Sequence, residues 1–160
     1  MAHEHDLERD VWKTIDKIRF CFLASWDGTR QRLHPLTAMP DRDRGVIEFL
    51  ASARSLAHWR VEAFPNVTLG FADPKGDDYV ALFGHAAVSD SRTDIRRLWS
   101  PFAKAWWDSP EDPDIRVLRV RAEGAEIWKG PNRLVAGALM LTAATLGTRP
   151  DMGEHGKTGL

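Results

Sequence analysis

Two adjacent tryptophans, Trp106 and Trp107, stand in a stretch that also holds Trp99 and Phe102. On a helix, one ring of such a pair turns away from the face that the other buries. The turned ring either closes a contact with a second copy or the chain's own tail, or offers a stacking platform for a flat ligand. The six histidines are His3, His5, His34, His58, His85 and His155, and none forms an i, i+4 metal pair. His3 and His5 suggest at most weak adventitious metal binding, and the others read first as structural side chains. Asp77-Asp78 and Glu111-Asp112 pair carboxylates, but in turn-like surroundings that make them solvated loop charge. The one cysteine, Cys21, sits in the apolar run Phe20-Cys21-Phe22-Leu23-Ala24 and reads as a buried thiol. It excludes an intrachain disulfide and any CxxC metal site. No Walker A, GxGxxG, HExxH or GxSxG pattern occurs. No side chain announces itself as a catalytic acid, base or nucleophile.

The elements that must position these residues come from a chain of 160 residues, a length suited to one domain. Lys+Arg total 22 against Asp+Glu 23, so the basic excess of a general nucleic-acid binder is missing. Arginine supplies most of the positive charge, and its forked guanidinium suits phosphate and carboxylate partners. The N-terminus is polar and acidic, unlike a signal peptide. The longest apolar stretch, Leu134 to Leu146, is too short and interrupted to span a bilayer. A cytoplasmic protein without membrane or nucleic-acid partners is expected.

Leu7, Val11, Ile15 and Ile18 recur at helical spacing and predict a first helix over about 6–18. Strands are predicted over 19–26, 30–39, 46–51, 67–72, 79–88 and 115–128, with Pro35 marking an edge, a bulge or a break. Gly84 suggests a bulge. A second helix is predicted over 52–64, capped by Ser52 or Ser55, and a third opens at Ser91. Ile95, Leu98, Trp99, Phe102 and Trp106 continue that third helix at a 3.6 period, with Pro101 a kink or break. On this phase Trp106 is core and Trp107 is free. Asn132 is expected to cap a last apolar helix, followed by a polar tail, over about 131–160. Six mostly sequential strands with short helices between them give a mainly β, α+β fold: a six-stranded antiparallel barrel with peripheral helices in a single domain, 1–160.

Four stretches carry a family resemblance. Arg97-Leu98-Trp99-Ser100-Pro101-Phe102-Ala103-Lys104-Ala105-Trp106-Trp107, with Glu111-Asp112-Pro113-Asp114, resembles the Trp-rich stretch of the general stress protein branch of the pyridoxamine phosphate oxidase-like, flavin-binding split-barrel proteins. Ala125-Glu126-Ile127-Trp128, Gly153-Glu154-His155-Gly156-Lys157, and Asp73-Pro74 with 79–84 are similar to further blocks of that group. The resemblance implies a homodimer of split barrels with one flavin mononucleotide (FMN) in each of two interfacial clefts. It implies a first set of flavin contacts at His34, Pro35, Leu36 and Thr37. A second set is implied at Leu50, Ala51, Ser52, Ser55 and Ala57. The departures are His34, Ala51 and Ala57, which stand where the family has Arg, Thr and Lys. Arg54, Ser55 and His58, at the first turns of the second helix, are candidate substitutes for the phosphate contact, with Arg32 on the preceding strand. Trp106 or Trp107 would wall the flavin ring. The implied activity is that of an FMN-dependent oxidoreductase acting on a small molecule, with pyridoxamine phosphate disfavoured as substrate. A non-catalytic protein that binds or buffers flavin, heme or a deazaflavin is the other reading.

Overall fold

The computed structural model describes residues 2–131, 140–141, 144–147 and 153–160. The apolar helix expected from Asn132 falls largely outside these residues. The first helix, α1, runs Ala2–Ile18, and eight strands follow: β1 Phe20–Trp26, β2 Gln31–Thr37, β3 Met39–Asp41, β4 Val46–Ser52, β5 Asn66–Asp73, β6 Asp78–Ser89, β7 Ile115–Lys129 and β8 Glu154–Gly159. All pair antiparallel in one sheet of order β2-β1-β5-β6-β7-β4-β3, with β8 added beside β7.

The strand expected over 30–39 divides at Ala38 into β2 and β3, which occupy opposite edges of the sheet. Ala38 is fully buried, and its N–H donates to the Arg19 carbonyl at 2.7 Å. One continuous stretch therefore serves both edges and curls the sheet into a split barrel. The curl encloses the inner face of the sheet, while β2 and β3 remain its two edges. Pro35 lies on β2 opposite Phe22, an edge position where a missing N–H does little harm.

Alternation fills the barrel. Cys21 and Leu23 point inward from β1, Val67, Leu69 and Phe71 from β5, Val80 and Leu82 from β6, and Ile47 and Phe49 from β4. Burial pushes the Cys21 thiol up to about 12, which keeps it protonated. Gly84 does mark a bulge: the β6–β7 register shifts between Phe83 and Gly84. A Cβ at Gly84 would lie 2.5 Å from the Arg121 carbonyl oxygen, so only glycine fits. The inward residues of β7 switch there from Val120 and Ala122 to Ala125 and Ile127. Helix α1 packs Val11, Trp12 and Ile15 into the core and is tied by ion pairs Lys17–Asp73 (2.7 Å) and Asp10–Lys129 (2.6 Å).

The tail is not the featureless segment the composition suggests. β8 pairs with β7 from Gly124↔Gly159 to Lys129↔Glu154. Glycine lets this strand sit tight, since a Cβ at Gly156 would lie 2.6 Å from Leu7.

Two short helices cover the outside. α2 (Ala53–Trp59) is shorter than the 52–64 expected, because Arg60 takes a left-handed conformation (φ 56°) and ends it. α3 (Arg92–Leu98) begins at Ser91, whose hydroxyl accepts the Asp94 N–H. It packs Ile95 and Leu98 over Ile115 and Val117 on the outer side of β7. Beneath it lies Glu48, 1% exposed and the most deeply buried charge in the described residues. Its carboxylate accepts from Arg44 at 3.1 Å, from Arg97 at 3.1 Å and from Arg119 at 2.7 Å. Asp94 adds a second anchor to Arg97 and Arg119, whose guanidinium groups hold its carboxyl below the usual range. A buried ion with several charge-assisted partners is costly to break from one side.

Glu48→Gln is expected to lower unfolding stability by about 3 kcal/mol, at the low end for a broken buried pair because the arginines are partly exposed and can rehydrate. Urea denaturation measures it. A loss below about 1 kcal/mol would show that the apolar contacts of α3 alone hold it in place.

Candidate functional site: the face shared by strand β2 and helix α2

The β1–β2 connection sets the geometry. Asp27 accepts the Thr29 and Arg30 N–H groups at 2.8 and 2.9 Å and the Arg32 Nε–H at 2.7 Å. These bonds, led by the Thr29 hydroxyl, hold its carboxyl far below the usual range. Gly28 has φ 97°, and a Cβ there would meet the Arg60 guanidinium at 2.7 Å. Arg60 donates to the Asp27 carbonyl at 2.9 Å. The end of α2 is thus pinned to the turn that starts β2.

This pinning lays α2 beside His34. The His34 ring stacks on Trp59, with centroids 4.0 Å apart and planes 18° from parallel. Its Nε2 lies 3.0 Å from the hydroxyl of Ser25, a residue only 1% exposed. Burial, and then the charges of Arg32 and His58, hold the imidazolium of His34 below its usual range, so the ring is neutral near pH 7. Arg54 and His58 lie one turn apart on the exposed side of α2.

The structure therefore brings Arg32, His34 and His58 together, with Arg54 and Ser55 on the adjoining turn. Pro35 and Thr37 lie on the exposed face of β2, and Leu36 faces the core. Ser52 caps α2 and accepts the Ser55 N–H at 3.4 Å, while the Ala53 N–H donates to the Asp114 carbonyl at 2.7 Å. The free amides expected at this helix start are thus partly taken, which moves the weight of anion binding onto the side chains. Ala57 instead borders a separate hollow of about 470 Å³ with Leu56, Val88, Asp90 and Arg116. Ala51 is buried and Leu50 half-buried on β4, and Leu50 packs against the small core under α3.

The two tryptophans exchange their expected roles. α3 stops at Leu98, Trp99 and Ser100 are extended, and a separate 3-10 turn runs Pro101–Ala105. Pro101 thus breaks the helix and resets its phase. Trp106 is 80% exposed and Phe102 86%, whereas Trp107 packs against the cluster of Ile95, Leu98, Ile115 and Val117. No contact joins either ring to the β2–α2 face within one chain, among the described residues.

Trp59 and Ser25 belong to the site and carry no sequence signal for it. Both acquire their role by contact across elements distant in the chain. The opposite face of β1 and β2, turned away from His34 and Ser25, is apolar and open, with Phe20 72%, Phe22 53% and Leu33 65% exposed.

Known proteins match this chain in sequence and fold. The family model described as "Pyridoxamine 5'-phosphate oxidase like" matches residues 6–151. General stress protein 26 of Bacillus subtilis (strain 168) is 32% identical over 66 residues, 39% of this chain and 47% of that protein, so the match spans about half of the relative's length. The structure of a putative general stress protein 26 from Jannaschia sp. CCS1 superposes with a TM-score of 0.77 at 25% identity, covering 98% of this chain and 99% of that one. The general stress FMN/FAD binding protein from Xanthomonas citri has the same fold, with a TM-score of 0.69 at 24% identity over 78% of this chain and 89% of that one.

The observed burial gives an expected outcome for the tryptophan pair. Trp106→Ala should change stability by no more than about 0.5 kcal/mol, as exposed substitutions do. Trp107→Ala should cost about 2 kcal/mol, less than a full core deletion because the ring is only partly buried. Chemical denaturation of the two variants distinguishes this from the reverse order, which would restore a continuous helix through Pro101.

Proposed function

The chain belongs to the pyridoxamine 5'-phosphate oxidase-like family, and on that premise we propose that it binds FMN and acts as a flavin-dependent oxidoreductase on a small molecule. The observation that carries the proposal is the basic face between β2 and α2, which gathers Arg32, His34 and His58 with the Trp59 ring stacked on His34. A dianionic phosphate and a flat apolar ring need that combination. The donor set fits the group even without the family's Arg, Thr and Lys. Arg54, Ser55 and His58 would meet the phosphate, with Arg32 and His34 across from them. Leu36, on the same side of β2 as His34, and Ser52, at the start of α2, would border the sugar chain. The relative from Xanthomonas citri, named for FMN/FAD binding, supports a flavin of this class.

When bound, the flavin supplies a ring that accepts and gives up a hydride. The chain's own residues then bind, orient and exclude water, and no acid or base is required of them. Trp106 takes the wall role, because its ring is free to stack while Trp107 is engaged.

A homodimer completes the reading. Phe20, Phe22 and Leu33 make an exposed apolar patch on the β1–β2 face, of the kind that marks an interface. The single buried thiol suits a reducing cytoplasm. No helix among the described residues is long and apolar enough to cross a membrane.

Light scattering at micromolar concentration should give about twice the 18.0 kDa chain mass, and a monomer would remove the interfacial cleft. Purified protein should show visible flavin absorption or take up added FMN. Arg54→Ala should weaken FMN binding by about 1–3 kcal/mol, the range for a charge-assisted hydrogen bond. A colourless protein that refuses FMN at high micromolar concentration would remove the cofactor. Turnover with reduced nicotinamide separates an oxidoreductase from a flavin-holding protein.

A further inference from the structure

His34 lies half-buried in the basic face between Ser25 and Trp59. Its surroundings are fixed on every side. From β1, Ser25 meets Nε2 at 3.0 Å. From α2, Trp59 covers one ring face at 4.0 Å and the His58 charge bears on it. From β2 itself, Arg32 stands two residues away on the same face. Asp27, the carboxylate that bonds Arg32, is saturated by that bond and by the Thr29 and Arg30 amides. Nε2 is committed to Ser25, which leaves Nδ1 to meet a ligand.

We propose that His34 makes anion binding at this face depend on its own proton, so that an imidazolium clamps the phosphate end of FMN and a neutral ring does not. The proposal deepens the flavin reading above and rests on it. Without a bound anion, partial burial and two neighbouring positive groups oppose protonation of His34. A phosphate dianion reverses the sign of that field. Nε2–H then donates to the Ser25 hydroxyl, Nδ1–H donates to a phosphate oxygen, and the cation gains from the Trp59 face. Binding therefore takes up a proton, and affinity for the phosphate must rise as pH falls through the range where His34 titrates. An arginine at this position stays charged at all accessible pH and cannot produce the effect. The phosphate's own second protonation, near pH 6, sets the lower end of the window.

FMN and riboflavin share a ring and differ in the phosphate, so the ratio of their affinities reads this interaction alone. Both are titrated into the full chain by quenching of flavin fluorescence. The preference for FMN over riboflavin should rise severalfold between about pH 8 and pH 6, since a one-unit pKa rise on binding gives its full effect of about tenfold only below the pKa of the free chain. His34→Gln should flatten the ratio across that range while riboflavin affinity holds, which shows that the fold and ring site survive. His34→Arg should give a high FMN preference at both pH values. His58→Gln should lower FMN affinity and keep the rise. A flat ratio in the unmodified chain, or a rise that persists in His34→Gln, overturns the proposal and leaves flavin binding standing. Failure to bind either flavin at any pH overturns the flavin reading, and this proposal with it.

Discussion

One stretch of chain, residues 31–41, serves both edges of the sheet, and the rest of the molecule is arranged around that constraint. β2 leaves β1 at Ala38 and continues as β3 beside β4. The sheet must curl for this to happen, and the curl creates an inside for the large apolar side chains of five strands. It also forces β2 to an edge, with its outer face uncovered. His34 and Arg32 lie on its other face, the side of Leu36 and of the inward residues of β1, where α2 reaches them. α2 follows β4 directly and, ended by Arg60, is fastened to the β1–β2 turn. The basic face is a consequence of closure and of that fastening, since no local motif encodes it.

The charge balance of the whole chain conceals how its arginines are divided. Arg44, Arg97 and Arg119 converge on buried Glu48 and hold α3 to the barrel. Arg96 forks onto Glu111 with both nitrogens below 3 Å, which ties α3 to the loop before β7. Arg32 is held by Asp27. Arg54, by contrast, makes no ion pair with the described residues, and His34 and His58 face no carboxylate. A near-neutral protein thus keeps a local positive surplus at one place, the condition for receiving a small anion without a general affinity for polyanions.

Much of the scaffold was legible in the sequence. Alternation placed β7, because Leu118, Val120 and Ala122 face the core while Arg119 and Arg121 face out. Gly84 announced the bulge, and Ser91 announced the cap of α3. Where the reading went astray, a long-range contact or a broken period was responsible. β8 has almost no apolar residues, and it exists because β7 offers an edge and Gly156 lets Leu7 approach. The tryptophan roles reversed because Pro101 restarts the chain in a 3-10 turn, after which a 3.6 period has no meaning. The stack of His34 on Trp59 joins residues 25 positions apart and leaves no trace in local spacing. The family resemblance fixed the fold correctly, while its phosphate contacts at the helix start met amides already engaged by Ser52 and Asp114.

The central claim is that the face between β2 and α2 receives the phosphate end of a flavin. A crystal structure of the chain saturated with FMN tests it most directly. The expected result is phosphate density within hydrogen-bond reach of His34, His58 and Arg54. Flavin density at any other place, such as the hollow beside Ala57 and Arg116, or no density at saturation, would contradict it.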